Sequence, residues 1–242
     1  MATLIFDIET IGEAWDELDP VTHASLSRWI DRGAHDAHEK ERLMQDLKEG
    51  LGFSPLTGSI AAIGVYDLER AEGAVYYRAE SADESEDGEF ALKVRSEKEM
   101  LSDFWEGARS YDTFVTFNGR SFDVPFLLLR SVACGISPSC DLMEGRYLYQ
   151  QKNIRHVDLY DQLSFYGAMH RKGTLHLYCR AFGIESPKAE GIAGDDVAAL
   201  FANKRFRDIA RYNARDVRAT ASLYEKWLQY LAPASFKSDI ML

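Results

Sequence analysis

The chain has 242 residues, of which 46% are hydrophobic and 12% aromatic, which is enough apolar material for one large core and too much for a disordered chain. Its formal net charge of −11 argues against a protein that coats polyanions, but it does not exclude a local site for a few nucleotides. The three cysteines form no CxxC pair, and neither a signal-peptide pattern nor a run of about 18 apolar residues is present. We therefore expect reduced thiols, a cytoplasmic location and no membrane contact.

The first third of the chain predicts β-strands with one polar interruption. Strands are expected at residues 3–9, 58–68 and 73–79, which are rich in aliphatic and aromatic side chains. The segment 13–50 is polar and helix-prone, which is typical of one or two helices inserted after the first strand. Residues 80–89 contain six acids and predict a solvated acidic loop.

The rest of the chain alternates between the two types of element. Strands are predicted at 112–119 and 156–161, and helices at 95–109, 123–135, 174–182, 194–203 and 206–231. Ser96 and Glu99 have the spacing of a capping box at the start of the first of these helices. The order predicts an α/β fold, with a mixed five-stranded sheet flanked by helices, in a single domain over residues 1–242.

Two acids stand inside the first predicted strand, in LIFDIET. Because side chains alternate along a strand, Asp7 and Glu9 share one face with Ile5, while Leu4 and Phe6 share the other. Two neighbouring carboxylates repel each other, and burying them without partners is costly. Either their pKa values rise or a cation lies between them.

Two further acids have unusual positions. Asp123 opens a helix directly after a strand, where it is either an N-terminal cap or a site residue. In the last long helix, residues at a period of 3.6 form an apolar stripe about 60° wide, and Asp216 lies in its middle, one turn after Tyr212. A buried acid needs a partner. Asp216 would form a salt bridge, accept a hydrogen bond from Tyr212, or bind a metal ion.

Basic residues are spread more widely. Arg207, Arg211 and Arg218 point away from the acids and are expected on a solvated helix face. A central set is better placed for phosphate contacts, although no member is convincing alone: Arg120, Arg130, Arg146, Lys152, Arg155, Arg171 and Lys172. Lys188 is expected to be a solvated lysine, with a phosphate contact as the alternative.

Three of these patterns together resemble the motifs of a known nuclease superfamily. They are Asp7-x-Glu9, the segment from Asn118 to Phe122-Asp123, and Tyr212-x-x-x-Asp216, in that order. The chain resembles stand-alone 3′–5′ exonucleases related to the proofreading domain of family-B DNA polymerases, in the DEDDy branch of the DnaQ-like, ribonuclease H-like superfamily. The resemblance spans nearly the whole chain and implies a ribonuclease H-like sheet.

The resemblance also implies a chemistry. Asp7, Glu9, Asp123 and Asp216 would hold two divalent cations, Mg²⁺ or Mn²⁺, about 4 Å apart, and Tyr212 would orient the attacking water. The reaction would release nucleoside 5′-monophosphates from single-stranded or unpaired DNA 3′ ends. Contacts to the substrate would come from Thr10, Ile11, Asn118 and Phe122, although ordinary core packing explains Phe122 equally well.

Two alternatives stay open at this level. A 3′–5′ exoribonuclease would use the same site, because discrimination depends on contacts to the 2′-position that the sequence does not place. A nucleic-acid-binding module without catalysis would use the acids structurally, and the presence of all four acids argues against it. The sequence does not indicate an oligomeric state.

Overall fold

The computed structural model describes residues 2–81, 85–186 and 194–240. Within them, seven strands form one mixed sheet. In chain order these are β1 (Thr3–Gly12), β2 (Gly58–Asp67), β3 (Glu72–Tyr77), β4 (Ser85–Asp87), β5 (Phe90–Val94), β6 (Thr113–Thr116) and β7 (Arg155–Asp158). Across the sheet the order is β4-β5-β3-β2-β1-β6-β7. The central strand β1 is antiparallel to β2 and parallel to β6.

Helices cover both faces of this sheet. In chain order they are α1 (Pro20–Gly33), α2 (Ala37–Glu49), α3 (Glu97–Ala108), α4 (Asp123–Cys134), α5 (Leu159–Leu163), α6 (Leu175–Phe182), α7 (Val197–Ala202), α8 (Phe206–Tyr230) and α9 (Ala234–Ile240). The predicted α/β class, a mixed sheet flanked by helices, is confirmed. The capping box at the start of α3 is also present, since Ser96 and Glu99 bond each other's backbone N–H groups.

The prediction of five strands was wrong, because β4 and β5 were missed. In β5, Phe90 and Leu92 are buried and alternate with half-buried residues, which is the period of a strand on a core. The polar strand β4 has no such pattern, and it exists through its antiparallel pairing with β5. The acidic run is therefore not a loop throughout. Its residues 82–84, like Lys188, lie outside the described residues.

The predicted strand over 156–161 was half right. It ends at Asp158, and the short helix α5 begins at the next residue, Leu159. The Asp158 carboxylate accepts a hydrogen bond from the backbone N–H of Tyr160, so it serves as the N-terminal cap of the helix. The end of a strand and the start of a capped helix follow each other within a few residues here. The apolar pattern alone does not show where one ends and the other begins.

The alternation along β1 sorts the hydrophobic residues into two cores. Leu4, Phe6 and Ile8 pack in one core with residues of α3 and α4, while Ile5 packs in the other core with residues of α8. The face that carries Asp7 and Glu9 is therefore the face covered by α8. This arrangement brings the last long helix, with its own acid, over the centre of the sheet.

The two helices that follow β1 lead back to the end of this strand through a short turn. Helices α1 and α2 are capped by Asp19 and Asp36. The 3₁₀ turn Gly50–Phe53 follows them, and the Gly52 carbonyl accepts a hydrogen bond of 2.7 Å from Thr10 Oγ1. The contact is so close that a Cβ atom on Gly12 would lie 2.9 Å from Gly52 N. The turn that follows the two helices therefore packs beside Thr10 and Gly12, which come directly after the two acids along β1.

The acidic run faces the basic side of α8. Arg211 Nε lies 3.8 Å from Asp87 Oδ2, and Arg218 makes an ion pair and hydrogen bond with Glu89. These arginines are exposed, as expected, but they are paired with the acids of β4 and the following turn. Exposed ion pairs contribute little to stability. The main consequence is that the arginines of α8 and the acids near β4 neutralise one another's charge. Within the described residues, no helix has the combination of length and apolar composition needed to cross a membrane.

Candidate active site

Three of the predicted acids meet on the α8 side of β1. Asp7, Glu9 and Asp216 each offer a carboxylate oxygen, and these oxygens lie within 4.8 Å of one another. Glu9 is buried, with 7% of its surface exposed, while Asp7 and Asp216 are half-buried. The alternation along β1 and the apolar stripe of α8 explain the meeting, because each places its acid on the buried face of its element.

Asp123 lies beside this group but is held differently. It is buried at the first turn of α4, and its Oδ1 accepts a hydrogen bond of 3.0 Å from the backbone N–H of Ile8. The parallel pairing of β1 with β6 ends at Ile5, so the Ile8 N–H has no partner from β6. The Asp123 carboxylate supplies that acceptor and so ties α4 to the strand between Asp7 and Glu9.

Burial and mutual repulsion set the electrostatics of the site. Burial raises the pKa of Asp7 and of Glu9 well above the usual values, and the charges of the neighbouring acids raise both further. Burial also raises the pKa of Asp123 to about 7, against the effect of its hydrogen bond from Ile8. Without a cation, these carboxyl groups therefore keep their protons to a higher pH than exposed carboxyl groups do.

The acids suit a divalent cation. Their hard carboxylate oxygens are the ligands that Mg²⁺ and Mn²⁺ prefer, and three of them already converge. A bound cation would remove the repulsion that raises their pKa values. Among the described residues, these three acids are the one group of at least three His, Cys, Asp or Glu side chains close enough to hold an ion.

Tyr212 lies one helical turn before Asp216 and is buried. Burial raises the pKa of its phenol, and so do the charges of Asp216 and Glu9 and a hydrogen bond to Asp216. The phenol consequently keeps its proton at any physiological pH. It can donate a hydrogen bond and orient a neighbouring molecule, but it is not a base.

The turn after β6 carries Asn118 and is held from below by Asp158. The backbone N–H groups of Asn118 and Arg120 donate to the two Asp158 oxygens, at 2.8 and 3.0 Å. Asn118 adopts a left-handed backbone with φ of 67°, which asparagine tolerates better than most residues. Asp158 thus gives the turn its shape, a role that the sequence did not reveal.

His156 supports the same region from the core. It is buried, its Nδ1 lies 2.9 Å from the Leu142 carbonyl, and its Nε2 lies 2.8 Å from Thr116 Oγ1. Because a carbonyl only accepts, Nδ1 carries the proton and Nε2 accepts from the threonine. Burial lowers the pKa of this imidazole to about 4, so the ring is neutral and structural.

A cavity of about 410 Å³ opens beside the acids. Its lining residues are Asp7, Phe117, Asn118, Tyr160, Lys172, Gly173, Thr174, Leu175, His176, Tyr212 and Asp216. The Phe117 and Tyr160 rings meet edge to face, with their centroids 5.7 Å apart, and Lys172 Nζ lies 5.4 Å from the Tyr160 ring centroid. The cavity therefore combines carboxylates, aromatic surface and one lysine, which suits a ligand with a phosphate and a ring.

The remaining predicted contacts are less direct. The Thr10 hydroxyl donates its hydrogen bond to the Gly52 carbonyl, and Ile11 is buried in the core beneath α8. Phe122 packs on Phe126, with ring centroids 5.4 Å apart, and against the core beneath α4. Of the four predicted substrate contacts, only Asn118 lines the cavity, and for Phe122 the structure supports the packing interpretation.

Asn213 and Lys172 are functional candidates that the sequence patterns did not single out. Asn213 Nδ2 donates a hydrogen bond of 2.9 Å to Asp7 Oδ2. Its spacing of three residues from Asp216 places both on one side of α8, so a signal was present. Lys172 was one of seven basic candidates, and only the tertiary structure distinguishes it as a residue of the cavity.

Known proteins resemble this chain in sequence and in fold. Over 177 residues, or 64% of the chain, it is 27% identical to DNA polymerase 1 of Sulfolobus acidocaldarius, and over 90% of the chain it is 22% identical to DNA polymerase 1 of Sulfurisphaera ohwakuensis. The family B DNA polymerase of the hyperthermophilic archaeon Pyrobaculum calidifontis superimposes with a TM-score of 0.59, at 20% identity over 94% of the chain, and supports the fold. The chain spans only 19 to 26% of the length of these relatives.

A family model also matches most of the chain. It covers residues 61–237, which include Asp123, Tyr212 and Asp216 but not the first strand. Its description is a predicted 3′–5′ exonuclease related to the exonuclease domain of PolB. Since the match extends over more than half of the sequence, the chain belongs to this family of predicted 3′–5′ exonucleases.

Proposed function

We propose that this protein is a metal-dependent 3′–5′ exonuclease, which hydrolyses the terminal phosphodiester of single-stranded or unpaired DNA 3′ ends and releases nucleoside 5′-monophosphates. The observation that carries the proposal is the meeting of Asp7, Glu9 and Asp216 beside a buried tyrosine. Membership of the exonuclease family supports the reaction, and the relatives named as DNA polymerases favour DNA over RNA.

The acids would hold two divalent cations, Mg²⁺ or Mn²⁺, with Asp123 as the fourth ligand. Bound there, the cations would supply positive charge to the phosphate oxygens and activate a water molecule. Asp123 already has one oxygen on the Ile8 N–H, which fixes the carboxylate next to the other acids. That restraint lowers the entropy lost when the ligand set closes on a cation.

The other cavity residues would position the substrate. Tyr212 keeps its proton and would hold the attacking water through its phenol oxygen. Lys172 would contact a phosphate, and the Phe117 and Tyr160 rings would offer surface to a terminal base. Asn118 would contact the same nucleotide from the turn that Asp158 holds.

A digestion panel tests the proposal. Oligonucleotides labelled at the 5′ end, as single- and double-stranded DNA and as RNA, are incubated with Mg²⁺, Mn²⁺ or EDTA. We expect a ladder shortening from the 3′ end of single-stranded DNA, with nucleoside 5′-monophosphates as products and no reaction in EDTA. If RNA were degraded faster than DNA, the proposed substrate would have to be RNA.

Two variants and a control test the site itself. Asp7→Ala and Asp216→Ala should lower activity by more than about 10³-fold, because each removes a ligand of the cations that would stabilise the transition state. Asp46→Ala, on the exposed side of α2, should behave as the wild type. Binding of single-stranded DNA without cleavage by the wild type, or full activity in either site variant, would contradict the proposal.

A further inference from the structure

Asn213 is buried between α8 and the centre of the sheet. None of its surface is exposed, and its Nδ2 lies 2.9 Å from Asp7 Oδ2. Glu9 lies close enough on the same strand face to interact with this side chain as well. Because ionised carboxylates only accept, the amide nitrogen is the group of Asn213 that can serve both acids.

The other end of this amide has no evident structural purpose. Asn213 Oδ1 is buried and has no hydrogen-bond partner among the described residues. A buried acceptor without a partner lowers stability, so an apolar side chain of the same size would suit this position better for folding alone. The position therefore favours asparagine for the donor that it directs at Asp7 and Glu9.

The neighbouring strand makes room for this side chain. Gly64 in β2 is the direct partner of Asp7 in the antiparallel register. A Cβ atom on Gly64 would lie 2.2 Å from Asn213 Oδ1 and 2.8 Å from Val217 Cγ2. Any larger residue at this position would displace the amide from the acids, so Gly64 and Asn213 fit as a pair.

We propose that Asn213 is a positioning residue, which reaches Asp7 and Glu9 through the space left by Gly64 and holds the two carboxylates in the orientation that binds divalent cations. The inference rests on the proposed function of these acids as metal ligands. Residues that orient metal ligands through hydrogen bonds typically change metal affinity by about 10- to 100-fold when they are replaced.

Calorimetric titration of Mn²⁺ into the metal-free protein tests this role. Asn213→Leu keeps the size of the side chain and removes the donor, Asn213→Ala removes both, and Gly64→Ala pushes the amide from the strand side. All three should bind Mn²⁺ about 10- to 100-fold more weakly than the wild type. Thr220→Val, a buried change of similar size in the same helix, should leave the affinity unchanged.

A second measurement separates positioning from damage to the fold. Raising the Mn²⁺ concentration should restore most of the turnover in Asn213→Leu, whereas a distorted core would not respond to metal. Near-ultraviolet circular dichroism verifies folding, and if the leucine variant does not fold, the alanine variant decides. Mn²⁺ affinity equal to the wild type in a folded Asn213 variant would overturn the inference.

The two proposals fail in different ways. A wild-type protein that cleaves DNA while Asn213 variants bind Mn²⁺ normally would remove the positioning role and leave the exonuclease function intact. A wild-type protein that binds Mn²⁺ but cleaves no nucleic acid, with weakened binding in the variants, would remove the function and keep the role of Asn213. A wild-type protein that does not bind Mn²⁺ would overturn both.

Discussion

Asp123→Asn should stabilise the metal-free protein above neutral pH. The substitution removes one of the crowded charges, while an asparagine Oδ1 can still accept the hydrogen bond from the Ile8 N–H. The pKa of this carboxyl is about 7 in the folded protein against an ordinary value of 3.8, with burial as the main cause. At about 1.4 kcal/mol per pKa unit, the ionised form lowers the free energy of unfolding by about 4 kcal/mol.

The direction of the pH dependence follows from linkage. Below about pH 4 the carboxyl is protonated in both the folded and the unfolded chain, so it has no effect on stability. Between about pH 4 and pH 7 the unfolded chain loses this proton first, and the folded state loses stability as the pH rises. Above about pH 7 the full penalty is present, and the asparagine variant escapes it.

The assay is thermal unfolding in EDTA at several pH values. For a domain of this size, about 4 kcal/mol corresponds to a rise in Tm of about 10 °C at pH 8, with no rise near pH 4. Added Mn²⁺ should stabilise the wild type more than the variant, because the variant has lost a ligand. Asp46→Asn on exposed α2 serves as the control and should change Tm little. Equal Tm values at pH 8, or a gain that persists at pH 4, would refute the reasoning.

Three further predictions concern residues around the acids. Tyr212→Phe should slow turnover by about 10²-fold with unchanged Mn²⁺ binding, and a loss of metal affinity by calorimetry would contradict the water-orienting role. Asp158→Ala should raise KM for oligonucleotides and lower the free energy of unfolding by about 2–4 kcal/mol, because three backbone N–H groups lose their acceptor. An unchanged KM in steady-state kinetics would argue against this prediction. His156→Gln should be less stable than the wild type at pH 7. That gap should narrow as the pH falls from about 6.5 to about 4, because in this range the unfolded wild type binds a proton on this imidazole and the folded protein does not. A constant gap in urea titrations would be the contrary result.

Local patterns in the sequence determined much of the fold and most of the acid group. The alternation along β1 predicted which face carries Asp7 and Glu9, and the period of α8 placed Asp216 and Tyr212 on its buried side. These predictions were confirmed because each concerns a single element, whose geometry fixes the direction of its side chains. The catalytic roles of the four acids and Tyr212 remain a proposal.

Contacts between distant segments were decided only by the tertiary structure. The polar strand β4 forms because β5 offers it a partner, and the acidic run meets the arginines of α8, although nothing near either segment indicates the other. The sequence left Asp123 open between a cap and a site residue, and only the tertiary structure shows its contact with the Ile8 N–H, beyond the end of the β1–β6 pairing.

Asn213 shows the same division most clearly. By itself it is an ordinary polar residue in a helix, and Gly64 is an ordinary glycine in a strand. Their roles arise because β2 pairs with β1 in a register that sets Gly64 opposite Asp7, and α8 crosses this pair. The amino-acid sequence thus determined which faces of the elements are buried and acidic. The packing of segments some 150 residues apart decided which groups hold those acids, because a side chain's partners depend on distances that no local pattern contains.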